Sequence, residues 1–313
     1  MVKILNTDID VFPLNLGANP FGWTADKEAT FAILDAFVEK GGNFIDTADS
    51  YSMWADGNKG GESEELIGQW RKARPEAAQK VIIATKSGGL PGVDGRGRKN
   101  TVQAVEDSLK RLQQETLDVF YYHYDDEDVS IQEQVDVAAE LIDAGKIRHL
   151  ALSNYSPERM REFFETAQGT KAMPVAIQPQ YNLLHRKEYE QGYAPLAKEY
   201  GVAVFPYFAL ASGLLTGKYR SREDLEGAAR KDFAQAYLEN SPAPVIEELV
   251  RIAESHDVEV TSVALAWLLA KGVTAPIASV SKVEQLDALL AAPQVELTEE
   301  EISALDQASE AFA

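Results

Sequence analysis

Four side chains that can hold or transfer a proton stand at or just beyond the ends of short apolar runs in this sequence. Asp46, Lys86 and His123 end three such runs, and Tyr51 follows shortly after Asp46. Addition of a hydride to a carbonyl carbon leaves negative charge on the oxygen, which needs a hydrogen-bond donor and then a proton. A tyrosine can supply both, and we expect the Lys86 ammonium to lower the pKa of Tyr51.

The other side chains suit supporting roles in the same reaction. Asp46 would hold Lys86 charged, and His123 would orient the carbonyl oxygen and assist proton transfer. Taken alone, each has an ordinary structural explanation, because buried aspartates and histidines and loop tyrosines more often serve packing or internal hydrogen bonds. Lys86 is harder to explain that way, since it ends the apolar run VIIAT, where an unpaired ammonium is unfavourable. These four side chains can act together only if the fold brings them close in space.

The elements that would position them alternate between short strands and longer helices, a pattern typical of parallel βα units. A short β-hairpin is predicted over residues 2–11. The eight strand candidates that follow are residues 14–18, 43–47, 81–86, 119–123, 147–153, 176–178, 202–206 and 274–279. Eight strands with eight crossovers predict a (β/α)8 TIM barrel, in which the C-terminal strand ends meet at one mouth.

Two helices and three long loops have clear signals. Thr101 is predicted to cap a helix over 101–113, and Gly145 to end a helix over 131–144. Loops over 49–61, 87–100 and 208–244 are expected to cover the catalytic face, the last with a helix near 233–238. The GxGxxG fingerprint is absent, which argues against a Rossmann fold. The segment GLLTGK has neither the spacing nor the Ser/Thr of a phosphate-binding P-loop.

Composition narrows the class of protein further. The chain has 313 residues, a formal charge of −20 and no cysteine. Strong negative charge disfavours nucleic acid and anionic lipid as partners, and the absence of cysteine excludes disulfides and thiolate chemistry. We expect one domain over residues 1–313 and a cytoplasmic protein, because no apolar run is long enough to span a membrane and no signal peptide is evident.

The motifs that carry these residues resemble those of the aldo-keto reductase superfamily, in family order and over essentially the full length. NFIDTADSY, IATKSG and DVFYYHYDD resemble the catalytic segments and imply Asp46, Tyr51, Lys86 and His123. The resemblance implies a (β/α)8 barrel with a nicotinamide cofactor and a small carbonyl or alcohol substrate. It also implies Tyr51 as the general acid and base.

The resemblance further implies a set of cofactor-binding residues. IRHLALSNY and AIQPQYNLLHR imply Ser153, Asn154 and Gln178 at the nicotinamide carboxamide. PYFALASGLLTGKY implies Tyr207 stacked on the nicotinamide, with Leu210, Ser212 and Lys218 along the pyrophosphate. APIASVSKVEQL implies Ser279, Ser281, Lys282 and Gln285 near the adenosine 2′-phosphate.

Some positions depart from the family pattern. Ser279 stands where the family often has glycine, and Ala288-Leu289 stands where Glu-Asn is common. The expectation of NADP(H) rather than NAD(H) as cofactor therefore rests chiefly on Ser281 and Lys282. Trp23, Trp54 and Tyr124 are expected to line the substrate pocket, although they could simply cap the barrel.

Two other functions remain open at this point. A barrel lyase would use Lys86 as a Schiff-base nucleophile, and a regulatory subunit would bind the cofactor without turnover, as some members of the resembled superfamily regulate membrane channels. No metal is predicted, because His149, His185 and His256 do not share a ligand spacing with carboxylates. The sequence leaves open the substrate, the direction of the reaction, and whether the chain is a monomer or a homodimer.

Overall fold

A short hairpin closes the bottom of a barrel in the computed structural model, which describes residues 1–218 and 242–313. Strands β1 (Val2–Lys3) and β2 (Asp10–Val11) pair antiparallel. Ile4, Ile9 and Val11 are buried in the same cluster as the inward-facing barrel residues. The predicted hairpin is therefore present, and its apolar side chains plug the N-terminal end of the barrel.

The barrel wall consists of eight parallel strands in the order β10-β3-β4-β5-β6-β7-β8-β9. They are β3 (Asn15–Gly17), β4 (Phe44–Asp46), β5 (Ile82–Ser87), β6 (Leu117–Tyr122), β7 (Ile147–Ser153), β8 (Ala176–Gln178), β9 (Ala203–Val204) and β10 (Ile277–Ala278). Backbone bonds from Thr274 to Val204 (3.0 Å) and from Ile277 to Pro206 (2.9 Å) join the two edges. The predicted (β/α)8 fold is confirmed, and each strand overlaps the run predicted for it.

Helices surround this wall. In the described residues they are α1 (Lys27–Glu39), α2 (Glu62–Ala73), α3 (Pro75–Ala78), α4 (Arg98–Leu112), α5 (Ile131–Asp143), α6 (Pro157–Ala167), α7 (Ala194–Tyr200), α8 (Ala243–His256), α9 (Val260–Ala270), α10 (Leu286–Ala291) and α11 (Glu299–Ala308). A π-helical turn, Tyr189–Tyr193, leads into α7.

The helix ends show why these segments begin and end where they do. Ser130 caps α5 by accepting a hydrogen bond from the Glu133 amide, and Gly145 follows its end with a φ of 69°, as predicted. The predicted cap of α4 is wrong. That helix begins at Arg98, and Thr101 lies buried inside it with its hydroxyl donating to the Arg96 carbonyl at 3.1 Å. A threonine can form such a backward bond within the first turns, so its cap signal is ambiguous.

The core has two layers, one inside the barrel and one between strands and helices. Small and aromatic side chains fill the interior, among them Ala84, Tyr121, Ala151 and Phe205. Neighbours on the same strands, such as Phe120 and Leu152, point outward and pack with the helices. This alternation is what a barrel requires of each strand.

The loops at the C-terminal ends of the strands carry the candidate site. Segments 49–61 and 88–97 follow β4 and β5, and the second is shorter than predicted because β5 extends to Ser87 and α4 begins early. The third loop, 208–244, is described only in part, and the helix predicted near 233–238 lies outside the described residues. Across residues 1–218 and 242–313, no helix has the length and apolar character needed to cross a membrane.

Candidate active site

The strand ends bring three of the four predicted catalytic side chains into direct contact. The Lys86 ammonium lies at the end of β5 and is completely buried. It donates to Asp46 Oδ2 at 2.5 Å, to Tyr51 Oη at 2.9 Å and to the Thr47 carbonyl at 2.8 Å. Tyr51 Oη in turn donates to Asp46 Oδ2 at 3.3 Å. The Lys86 protons thus point at a carboxylate, a phenol and a carbonyl.

His123 completes the group from the end of β6. Its ring centroid lies 6.3 Å from that of Tyr51, and Nδ1 is buried without a hydrogen-bond partner in the described residues. Burial holds the pKa of His123 well below its usual range, and the Lys86 and Arg96 charges act in the same direction. His123 is therefore a neutral imidazole.

The electrostatics of Tyr51 differ from the expectation. Burial raises the pKa of Tyr51 well above its ordinary value, and the Asp46 carboxylate raises it further. The expectation of a lowered pKa at Tyr51 is wrong, because burial of the phenol and its contact with Asp46 raise the pKa overall. Burial also lowers the pKa of Lys86, against the opposing effect of Asp46. Tyr51 is thus a protonated phenol at neutral pH.

The turn that carries Tyr51 is held by hydrogen bonds to the loop after β3. Ser52 has a φ of 71°, a left-handed conformation that is unusual for serine. Its hydroxyl donates to the Phe21 carbonyl at 2.7 Å, and Asn58 Nδ2 donates to the Gly22 carbonyl at 2.8 Å and the Ser52 carbonyl at 2.9 Å. These bonds fix the backbone directly after Tyr51.

The four residues predicted at the nicotinamide form one connected network beside the catalytic group. Asn154 has a φ of 54°, and its Nδ2 donates to the His123 carbonyl at 2.8 Å. Tyr207 Oη donates to Asn154 Oδ1 at 3.0 Å, and Ser153 Oγ donates to the Gln178 carbonyl at 2.8 Å. Gln178 Nε2 donates to Asp46 Oδ1 at 2.8 Å. Gln178 therefore also orients the catalytic carboxylate.

The residues predicted along the pyrophosphate lie on an irregular backbone. Ala211, Ser212 and Gly213 have φ values of 46°, 57° and 100°, and Leu210 precedes them. Left-handed non-glycine residues are strained, and such turns create concave arrays of amide groups that suit anions. Lys218 lies at the end of this segment, at the edge of the described chain.

The residues predicted at the 2′-phosphate lie on the loop after β10 and contact the loop after β3. Ser279 Oγ donates to Asn19 Oδ1 at 2.6 Å, and the Ser281 hydroxyl lies 2.8 Å from that of Thr24. Gln285 Oε1 accepts from the Ser281 amide at 2.9 Å and from the exposed Lys282 amide at 3.2 Å. These bonds join the loops after β3 and β10, whereas the catalytic group lies at the ends of β4 to β6.

Aromatic side chains extend outward from the catalytic group. Trp54 lies 6.2 Å from Tyr51 and 5.7 Å from Trp23, measured between ring centroids. Tyr124 stacks on His123 at 4.4 Å. Trp54 and Tyr124 are 49% and 47% exposed, which is unusual for large aromatic residues. The predicted substrate-pocket residues therefore form a half-exposed aromatic rim.

Sequence reasoning missed a second group of charged side chains behind the catalytic one. Glu64 is completely buried on α2 and accepts from Thr85 Oγ1 at 2.5 Å and from Arg111 Nε at 2.6 Å. Asp49 is also completely buried, and Arg96 is 1% exposed. One signal was available, because Glu64 shares a helical face with the buried Ile67 and Gly68. In the described chain, no three histidine or acidic side chains are grouped so that they could hold a metal ion.

Comparison with known proteins agrees with this geometry. The Aldo/keto reductase family matches residues 13–310. The chain is 34% identical to an aldo-keto reductase, ausK, of Aspergillus calidoustus, over 95% of this chain and 78% of that protein. It is 31% identical to a putative aryl-alcohol dehydrogenase, AAD14, of Saccharomyces cerevisiae (95% and 83%) and 32% identical to the aldo-keto reductase YhdN of Bacillus subtilis (92% and 86%). The chain therefore belongs to the aldo/keto reductase family, whose members are oxidoreductases that act on carbonyl groups.

Proposed function

We propose that this protein reduces an aldehyde or ketone, or oxidises the corresponding alcohol, with NADP(H) as cofactor and Tyr51 as general acid and base. The contact of the Tyr51 hydroxyl with Lys86 Nζ at 2.9 Å carries this proposal. A phenol that is protonated, half-buried and next to an ammonium can donate its proton and then remain stable as a phenolate.

The residues present fit a nicotinamide cofactor. The Asn154 amide and the Ser153 hydroxyl offer hydrogen bonds for a carboxamide, and the half-buried Tyr207 ring offers a stacking face. The left-handed turn at 211–213 suits a pyrophosphate. Ser281 and Lys282 would hold a 2′-phosphate, and Lys282 supplies a positive charge that NADH would not use. A bound nicotinamide would supply or accept the hydride.

The side chains of this protein would handle the proton. As negative charge develops on the substrate oxygen, Tyr51 Oη donates a hydrogen bond and then its proton, which forms the alcohol O–H bond. The resulting phenolate stays within 2.9 Å of the Lys86 ammonium until it takes a proton from solvent. His123 is neutral and can donate one ring N–H to the same oxygen. In alcohol oxidation the same proton transfer runs in reverse.

The arrangement of Lys86 favours this role over Schiff-base formation. A Schiff base requires a neutral amine with an open approach to the substrate. Lys86 instead donates to a carboxylate, a phenol and a carbonyl, and its side chain is completely buried. These contacts support its role as a partner of Tyr51.

The aromatic rim supports a flat aromatic carbonyl compound as substrate. Trp54 and Tyr124 expose large ring surfaces beside Tyr51 and His123, where offset or edge-to-face contacts with a substrate ring are favourable. The name of the yeast relative refers to aryl alcohols, which agrees with this substrate class. Trp54→Ala should raise KM for benzaldehyde about tenfold and leave KM for a linear aldehyde within about twofold. Equal changes for both aldehydes would contradict the aromatic contact.

Cofactor binding followed by turnover tests the function as a whole. Titration with NADPH or NADH should quench tryptophan fluorescence, and addition of carbonyl compounds should then oxidise the bound cofactor. Tyr51→Phe should abolish nearly all turnover while leaving NADPH affinity within about twofold, because the hydroxyl acts on the substrate oxygen. Binding without turnover of any carbonyl compound would favour a regulatory subunit. Binding of neither cofactor would overturn the proposal.

A further inference from the structure

Asp49 connects the turn that carries Tyr51 to the strand that carries Lys86. Its amide donates to the Lys86 carbonyl at 3.0 Å, and its Oδ2 accepts from the Gly88 amide at 3.1 Å. It therefore contacts the backbone at Lys86 itself and at Gly88, two residues further along the chain. Asp49 also follows Ala48, whose carbonyl accepts from the Tyr51 amide at 3.3 Å.

Arg96 also binds the segment that Asp49 holds. Arg96 Nη1 donates to the Ser87 carbonyl at 2.6 Å. Gly88 has a φ of 108°, and a Cβ at this position would lie 1.6 Å from Arg96 Nη2. Only glycine fits beside Arg96 here, and both Asp49 and Arg96 bind the backbone that follows Lys86.

Asp49 has no ion-pair partner within 4 Å in the described part of the chain. Its Oδ1 is buried and makes no hydrogen bond there. The neighbouring Glu64 differs, because its oxygens contact Arg111 and Thr85. A buried carboxylate that is not paired by contact exerts its field on the charges around it.

The charged and titratable groups around this pair come from several elements. Those facing Asp49 are Glu64 on α2, Arg111 on α4, Arg96 before α4, and Tyr124 after β6, besides Lys86 itself. Those facing Lys86 are Asp46, Tyr51, Tyr121 and His123. Among these neighbours, Asp46 favours the charged form of Lys86 most strongly, and Asp49 and Glu64 favour it next.

We infer that Asp49 is a positioning residue of this site, which fixes the Tyr51 turn against the Lys86 strand and supports the Lys86 ammonium with its negative charge. The inference rests on the proposed carbonyl reduction. It predicts that neutralising Asp49 lets Lys86 lose its proton at lower pH. Reduction should then decline at lower pH on the alkaline side of its pH profile.

The test compares Asp49→Asn with Asp118→Asn. Asp118 is a matched control because its Oδ2 accepts from the Ile83 amide at 3.1 Å, the same kind of bond to the opposite end of β5. In D49N we expect kcat to fall about tenfold, with KM and NADPH affinity within about twofold. The alkaline limb of the kcat profile should move down by on the order of one pH unit. D118N should change neither.

A titration of Lys86 separates this inference from the proposed function. With lysine labelled by carbon-13 at Cε, the Lys86 signal is identified by its loss in Lys86→Met and is followed against pH. Its midpoint should fall in D49N and stay unchanged in D118N, whether or not any carbonyl compound is reduced. If the wild-type protein reduces no carbonyl compound, that result contradicts the proposed function but not the effect of Asp49 on Lys86.

An unchanged Lys86 midpoint together with kcat within twofold of wild type would overturn the role of Asp49. If D49N does not fold, Asp49→Ser provides the same test, because its hydroxyl can still accept a bond from a nearby amide while its charge is lost. A kcat decrease without any movement of the Lys86 midpoint would assign Asp49 a purely structural role and would also contradict the inference.

Discussion

The stability of Asp49→Asn relative to wild type should increase as the pH rises. Burial raises the pKa of Asp49 from its ordinary value of 3.8 to about 6, and the nearby Glu64 carboxylate acts in the same direction. The folded protein therefore binds this proton more tightly than the unfolded chain. As a result, the free energy of unfolding of wild type falls as pH rises through this range.

The size of the effect follows from that rise in pKa. Complete ionisation of Asp49 lowers the free energy of unfolding by about 3 kcal/mol, and about 1.4 kcal/mol of this is lost between about pH 5 and about pH 8. Asparagine cannot ionise, and its amide oxygen can still accept the bond from Gly88. D49N should therefore gain about 1.4 kcal/mol relative to wild type over the same interval.

Urea unfolding followed by tryptophan fluorescence and circular dichroism measures this difference. The interval from about pH 5 to about pH 8 stays above the isoelectric point, pI 4.6, where solubility is lowest. Titrating groups distant from Asp49 contribute equally to both proteins and cancel in the comparison. A stability difference between D49N and wild type that does not change with pH would refute the reasoning.

Three further predictions follow from the same charges. Tyr51 should contribute no phenolate absorbance below about pH 10 because its pKa is raised, and a phenolate band near neutral pH that disappears in Tyr51→Phe would contradict this. Arg111→Met should lower the free energy of unfolding by about 3 to 5 kcal/mol in urea titrations, because it leaves Glu64 charged and buried without its partner. The exposed Arg161→Met should lower it by less than about 1 kcal/mol, and similar losses in both variants would refute the distinction. Lys282→Ala should weaken NADPH binding far more than NADH binding in fluorescence titrations, and equal weakening would exclude a 2′-phosphate contact.

Much of the fold could be predicted because its signals are local. Short apolar runs separated by helical segments predict the barrel, and a barrel places the C-terminal ends of all its strands at one mouth. The convergence of Asp46 and Lys86 follows from that geometry alone, since β4 and β5 are neighbours in the sheet. Gly145 was predictable for the same reason, because the end of a helix depends on the backbone of one residue.

The electrostatics and the supporting charges could not be predicted in this way. The pKa of Tyr51 depends on the burial of its phenol and on the contact with Asp46, and no sequence pattern gives either. Glu64 meets Arg111 only because α2 and α4 pack closely, which Gly68 permits: a Cβ there would lie 2.0 Å from the Arg111 carbonyl oxygen. Such contacts are set by the packing of distant elements.

Transfer of deuterium from a labelled cofactor tests the central claim most directly. The protein would be incubated with benzaldehyde and NADPH that carries deuterium at C4, on each face of the ring in separate reactions, and the alcohol analysed by mass spectrometry. We predict deuterium at the carbinol carbon from one of the two cofactors, and almost no product from either with Tyr51→Phe. Alcohol formed without deuterium from either cofactor, or formed at the wild-type rate by Tyr51→Phe, would contradict direct hydride transfer with Tyr51 as the proton donor.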